Sequence, residues 1–362
     1  MANGIGITPN TISAVVDLLQ TGDIGFGSNV EVFEDRFKSY SDKAYNIGLS
    51  SASAAIHCLF AFLFKMYGSC DVFTPSLGFV SPVQAAIKNG HKVYFLDVDE
   101  NLLVNYDLYY DIRCWHLERQ INIDFNKSVF MPILYGGISN INDLVDRVRK
   151  SNWGDIVVVD SSHSISPTIE SDFIFFSFHP TKPLIMANGG ILSTNDLVAD
   201  EYIRSYRNFG RQSSGDSYDI IMDGFNFYLN NLNATIGLSQ LDTYLENIKL
   251  RKNNFNYLKN KITLDVGYFT QHDKHSSYQL ATLILRNKGS KALRVELQAN
   301  GFMAMFCYPF LHKSKFYSQK ISLPNTESME DRIINLPIHH TLTADELSTI
   351  GRIVNEQNFY NC

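Results

Sequence analysis

The sequence predicts an α/β protein: a large domain with a mostly parallel central sheet covered by helices, then a smaller C-terminal α+β domain. Three observations lead there. Short, almost wholly apolar strands such as Asp155–Asp160 (DIVVVD) alternate with helical stretches, the pattern of a sheet buried on both faces. The texture changes near residue 245, where a long charged helix, Leu245–Lys261, bridges out of the first unit. The chain has 362 residues, 45% apolar and 19% charged, enough for two cores and too apolar for wholesale disorder. The expected domains are 1–245 and 246–362. The N-terminal segment is expected to pack on the small domain or on a partner subunit.

The elements follow in order. Thr8-Pro9-Asn10-Thr11 reads as a cap opening a short amphipathic helix over Ile12–Leu19. Thr21–Val30 is glycine-bearing and turn-like, and Val32–Tyr40 returns to helical period. Asn46–Leu49 is a short strand that runs through Ser50–Ser53 into an apolar helix from Ala54. Asp71–Pro75, Lys92–Val98, Ser128–Leu134, Asp155–Asp160, Phe173–Phe178 and Gly190–Thr194 read as strands, with helices at Val83–Asn89 and Ile141–Lys150. After the bridging helix come a strand at Tyr278–Arg286, a helix at Lys291–Asn300, a strand at Phe302–Cys307 and a helix at Ala344–Glu356.

Ligands of open α/β sheets bind beyond the carboxyl ends of the strands, and four features fall there. Ser50–Ala54 follows the first strand. Its small residues form either an anion cradle at a helix N-terminus or a plain serine-rich cap. Asp160 closes a buried strand, where a carboxylate is costly unless paired, and either anchors a ligand or caps the next turn. Lys182 lies just past the strand Phe173–Phe178 in a turn held by Pro180. It is either partly desolvated and nucleophilic towards an aldehyde or an ordinary solvated loop lysine. Asn188-Gly189-Gly190 marks a close approach of backbone before the next strand. A phosphate cradle, a strand-end carboxylate and a loop lysine, in that order, suit pyridoxal phosphate (PLP).

The chain resembles the DegT/DnrJ/EryC1/StrS family of PLP-dependent sugar aminotransferases, of the aspartate aminotransferase fold. The blocks that carry the resemblance run over nearly the whole length. Thr21–Phe33 is similar to the family's opening GxxxxGxxVxxFE, Ser50–His57 (SSASAAIH) to SSGTAALH, and Thr74–Val80 (TPSLGFV) to TPSFTFV. Val93–Asp99, Pro132–Gly136, Phe176–Lys182 (FSFHPTK), Arg207–Arg211, Gly224–Asn226 and Leu232–Leu241 follow. Ser276–Tyr278, Tyr308–His312 (YPFLH) and Asn335–Leu342 complete the series.

The resemblance implies these roles. Lys182 forms the Schiff base with PLP and moves the substrate proton. Asp160 pairs with the pyridine nitrogen. His163 lies near the cofactor's phenolic oxygen, and Phe79 stacks on its ring. Ser53, the backbone of Ala54, and Ser177 hold the phosphate. Asn226 reaches that phosphate from a neighbouring subunit, which implies a homodimer with shared active sites. The implied reaction takes an amino group, with L-glutamate as the expected donor and pyridoxamine phosphate as intermediate, to a nucleotide-linked keto sugar. Dehydration, transfer to a non-sugar carbonyl, or a non-catalytic regulatory role on the same scaffold are the alternatives. Because Lys182 is present, His179 is expected to be a packed loop residue.

Ala52 stands where the family has glycine, Tyr228 where it has arginine and Asn188 where it has glutamate. The segment between Asp160 and Lys182 is shorter than usual. These departures bear on the substrate more than on the cofactor. Arg207 and Arg211 are candidates for binding a carboxylate or diphosphate. His275, Tyr308, His312, His339 and His340 are expected to be structural.

Other classes are disfavoured. Net charge is −6 with no basic stripe, so nucleic acid is not an expected partner. Five cysteines without a C-x-x-C pattern suggest a reducing compartment and inert thiols. There is no H-E-x-x-H, and no metal is expected. The first ten residues lack a signal-peptide pattern, and the longest apolar stretch, Ala54–Phe64, is too short to span a bilayer. The expectation is a soluble, cytoplasmic enzyme.

Overall fold

A computed structural model describes residues 6–119, 127–138, 141–165, 169–212, 219–306, 308–317 and 321–356. Cys307 and Cys362 lie outside them. Helices α1 (Pro9–Thr21) and α2 (Ser28–Ser41) precede β1 (Tyr45–Leu49), α3 (Ala52–Tyr67), β2 (Asp71–Pro75), α4 (Val80–Lys88) and β3 (Lys92–Leu96). Then come α5 (Tyr106–Arg119), β4 (Ser128–Phe130), α6 (Asn142–Lys150), β5 (Ile156–Asp160), β6 (Phe173–Ser177) and β7 (Gly190–Thr194). The chain continues through α7 (Leu197–Tyr206), α8 (Asn231–Leu241) and α9 (Tyr244–Lys261). It closes with β8 (Gly267–Phe269), β9 (Ala281–Leu285), α10 (Ser290–Ala299), β10 (Met305–Phe306), α11 (Pro324–Ser328), β11 (Ile333–Leu336) and α12 (Ala344–Glu356).

Strands β1–β7 form one seven-stranded sheet in the order β1-β7-β6-β5-β4-β2-β3. Only β7 runs against the rest, pairing antiparallel with both β1 and β6. Both faces are covered, as the apolar strands require. Val158 and Phe175 pack with Leu59 and Phe62 of α3 on one face; Val157, Val159 and Phe176 pack with Phe33 and Phe37 of α2 on the other. The second sheet, β10-β11-β9-β8, is antiparallel throughout. It packs with α9, α10 and α12 around Leu258, Leu283, Leu293 and Ile350. A further apolar cluster joins the two units, with Leu77, Val98 and Tyr135 against Leu280, Ile284 and Ile333.

The Thr8 cap forms as its sequence suggests: its hydroxyl accepts the Thr11 N–H, and Gly22 closes α1 in the left-handed region. α1 packs on α8, joined by the Thr11–Ser239 hydroxyl pair at 2.9 Å, and Gly6 lies against His340 of the second unit. Four helices, α5, α7, α8 and the short α11, are not among those expected from the sequence. α8 is small and polar in sequence yet contacts α1, α2 and α9, so it shows no single apolar stripe. α5 mixes aromatic and charged residues around its circumference. α7 carries a readable signal, the Asp196 cap that accepts the Val198 and Ala199 N–H groups. Among the described residues, no helix is long and apolar enough to cross a membrane, and no cluster of three metal-ligating side chains occurs.

Candidate active site

A cavity of about 400 Å³ opens at the carboxyl ends of the parallel strands. Ser51, Ala52 and Ser53 follow β1, and Phe79 follows β2. Ile133 follows β4, Asp160, Ser162 and His163 end or follow β5, and Ser177 ends β6. His179, Lys182 and Asn188 come from the loop between β6 and β7, while Met305 and Tyr308 close the cavity from the second unit.

The cradle is built at the start of α3. Ser51 is its N-cap and accepts the Ala54 N–H at 3.1 Å. Because Ser51 takes that group, the N–H groups left for an anion are those of Ala52 and Ser53. The Ser53 hydroxyl accepts from Ser81 at 2.7 Å. Strand β7 begins directly beside this turn. A Cβ on Gly190 would lie 2.5 Å from the Ala52 nitrogen, so only glycine lets the strand pass. Ala52 takes the glycine's place without strain, because the first turn of α3 does not call for positive φ.

Asp160 is almost fully buried. Its Oδ1 accepts the Ser162 N–H at 2.9 Å. Burial pushes its carboxyl above the usual range, against the pull of the Ser162 contacts and of Lys182. Lys182 is half-buried, with its amine lowered to about 8, chiefly by desolvation and against the attraction of Asp160. Its turn is closed by the Lys182 N–H donating to the His179 carbonyl at 2.8 Å. His179 bonds Thr181 within the same turn.

His163 is buried, and burial followed by Lys182 holds its imidazole well below its ordinary range, so the ring is neutral. Its Nδ1 accepts the Gly136 N–H at 3.2 Å, which places the ring proton on Nε2. That nitrogen lies 2.9 Å from the Tyr308 hydroxyl, and the two rings stack with centroids 5.7 Å apart. Phe79 is 56% exposed in the isolated chain and faces Tyr308 at 5.9 Å between centroids.

Six of the expected residues thus line one cavity: Ser53, Phe79, Asp160, His163, Ser177 and Lys182. Ala54 lies beneath it, buried in the first turn of α3. Asn226 does not line it. It is exposed and bridges to Asn208. Tyr228 packs edge-on against Phe26, and Asn188 lines the cavity with its carbonyl bonded to Asn233.

The idea that Arg207 binds a substrate anion is overturned. Arg207 is buried and bonded to Glu34 at 2.7 Å and to the Gly48 carbonyl at 2.5 Å. Arg211 stacks on Phe209, outside the cavity lining. Glu34, overlooked in the sequence, grips β1 just before the cradle. It accepts the Gly48 N–H and pairs with both Arg207 and Arg204. Tyr308, expected to be structural, lines the cavity instead. Its YPFLH block was visible, but nothing local to it shows that it meets His163.

Comparison with known proteins settles the relationship. The model of the DegT/DnrJ/EryC1/StrS aminotransferase family matches residues 6–355. The chain belongs to that family. It is an aminotransferase. Among relatives, it is 24% identical to the spore coat polysaccharide biosynthesis protein SpsC of Bacillus subtilis, over 95% of this chain and 93% of that protein. The fold matches PseC of Helicobacter pylori, an aminotransferase of pseudoaminic acid biosynthesis, with TM-score 0.87 and 20% identity over 98% and 97% of the two chains. It also matches the putative sugar aminotransferase Spr1654 of Streptococcus pneumoniae in its pyridoxamine phosphate form. There the TM-score is 0.86 and identity 21%, over 98% and 96% of the chains.

Proposed function

We propose that this aminotransferase binds PLP through Lys182 and transfers an amino group from L-glutamate to a nucleotide-linked keto sugar, as a homodimer. The observation that carries the reading is one cavity uniting a lysine with a depressed amine, a buried strand-end carboxylate and an unfilled helix N-terminus. This donor set fits the cofactor. Gly190 leaves the cradle open for a phosphate, and Asp160 would meet a protonated ring nitrogen, the counter-charge its burial calls for. Ser177 and Ser53 would add hydroxyls at the phosphate end.

When bound, PLP supplies an electron sink that stabilises negative charge at the substrate carbon. The protein supplies the rest. At neutral pH a lysine at about 8 is neutral in roughly a tenth of molecules, hundreds of times more than an ordinary lysine, so Lys182 can accept and return a proton at that carbon. His163, neutral with its proton on Nε2, presents a donor on the same side as Tyr308. Phe79 and Ile133 border the cavity with apolar surface. In the proposed homodimer Asn226, exposed and outside its own chain's cavity, would reach the partner's.

The test is an absorbance spectrum of the purified protein with PLP, before and after L-glutamate, with Lys182→Ala alongside. The expected result is a visible band that glutamate bleaches and the variant lacks. A band that ignores glutamate rejects that donor, and no band rejects the cofactor reading.

A further inference from the structure

The cavity is also held from a side that does not line it. Residues 276–280, leading into β9, lie across the turns that carry His163 and Lys182. The Ser277 N–H donates to the Gly137 carbonyl at 2.9 Å, and the Leu280 N–H to the Gly136 carbonyl at 3.0 Å. The Ser277 hydroxyl donates to the His163 carbonyl at 2.5 Å. Gly136 and Gly137 both have positive φ, and a Cβ on Gly137 would collide with Ser277. Between these bonds, Gln279 Nε2 donates to the Thr181 carbonyl at 2.6 Å.

Thr181 immediately precedes Lys182. Among the described residues, the other hydrogen bonds of 179–182 stay within the turn itself. The Gln279 amide is therefore the bond that fixes this turn from outside. Gln279 is 4% exposed, and its Oε1 has no donor among the described residues. A buried amide oxygen without a donor is destabilising. Packing alone would favour leucine here, so the donated bond to Thr181 is the feature that accounts for a glutamine. Only Nε2 can face that carbonyl, which fixes the orientation of the amide.

We propose that Gln279 is a positioning residue for Lys182: its amide, clamped on the Thr181 carbonyl, sets the lysine's place over Asp160 and makes that place depend on the second unit. The proposal rests on reading Lys182 as the residue that carries the cofactor. Gln279 touches neither the cavity nor its contents and acts through Thr181.

The variants are Gln279→Leu, which keeps the bulk and removes the donor, and Gln279→Glu, which puts an acceptor opposite the carbonyl. The first measurement is the pH dependence of acetylation of Lys182 in the cofactor-free full-length protein, read by mass spectrometry. Wild type should show a midpoint near 8, set by the lysine's buried place. Both variants should move it up towards the ordinary lysine value as the turn loosens and the amine gains water. The second measurement is the glutamate-driven bleaching rate, expected to fall by up to about 10²-fold with little change in the glutamate concentration giving half-maximal rate. Circular dichroism identifies a variant that does not fold, and the other then decides. Folded variants with an unmoved midpoint and rate overturn the proposal. A wild type whose lysine titrates near 8 but takes up no PLP overturns the cofactor reading instead, so the two failures are distinguishable.

Discussion

The two walls of the cavity are built by different means. On the large-domain wall, each functional residue sits at or just beyond a strand end, so the register of one sheet places Ser53, Phe79, Asp160, Ser177 and Lys182 together. The other wall is Tyr308 with Met305, braced from behind by the segment 276–280, and all of these come with the separate antiparallel sheet. They are placed by individual hydrogen bonds across the boundary. A wall set by sheet register tolerates little change beneath it. A wall set by hydrogen bonds can be adjusted one bond at a time.

That contrast can be pressed hardest at Glu34. Glu34→Ala would strand the buried Arg207 and free Gly48 of β1, at a cost of about 3–5 kcal/mol in stability. Thermal unfolding should show a large drop, and PLP affinity should fall with it as the cradle loosens. Burial opposes the Glu34 charge, but Arg207 and Arg204 together hold its carboxyl below the usual range. Its stabilisation is present above the unfolded-state value of 4.5 and fades as pH drops through the lower folded value. Acid unfolding of the variant should lack that component.

Asp160→Asn sharpens the same wall chemically. Losing the charge opposite the cofactor nitrogen should lower the bleaching rate by about 10²–10³-fold. The melting temperature should hold or rise, because Asp160 is a carboxylate whose charge burial disfavours. A melting temperature that falls with the rate would make Asp160 a packing residue.

The pH dependence comes next in size. PLP uptake should climb as pH rises to about 8 and level off above it, tracking the neutral form of Lys182. The sign for stability is the same. A lysine lowered from 10.5 leaves the folded state binding fewer protons than the unfolded chain between about 8 and 10.5, so stability rises with pH across that window. The smallest effect belongs to the other wall. Tyr308→Phe removes one hydrogen bond to His163, worth about 0.5–1.5 kcal/mol, and should slow bleaching by no more than about tenfold. A larger loss would give Tyr308 a part in the chemistry itself.

The same contrast separates what could be read in the chain from what could not. Asp160 and Lys182 announce themselves because each follows a recognisable apolar strand, and the Ser51–Ser53 turn because small residues precede an apolar helix. Gly190 was legible as a close approach, though its neighbour, the Ala52 nitrogen, was not. Gln279 carries no local mark, and although Glu34 and Tyr308 fall in visible blocks, nothing there names their partners. Their partners lie far along the chain, and an isolated buried glutamate or glutamine reads as a surface residue until the fold supplies the other half. Arg207 failed for the same reason: its carboxylate was Glu34, not a substrate. α8 was hidden because burial on several sides erases periodicity.

The late arrival of the second wall also matters while the chain is being made. Ser51 to Lys182 leave the ribosome well before residues 276–280 and Tyr308, and domains tend to fold in that order. For an interval the nascent protein would carry Lys182 on a turn without the Gln279 bond, its amine nearer the ordinary lysine range and so mostly protonated. Completion of the last third of the chain therefore does more than add a domain. On the reading proposed above, it turns an ordinary protonated lysine into one poised to react.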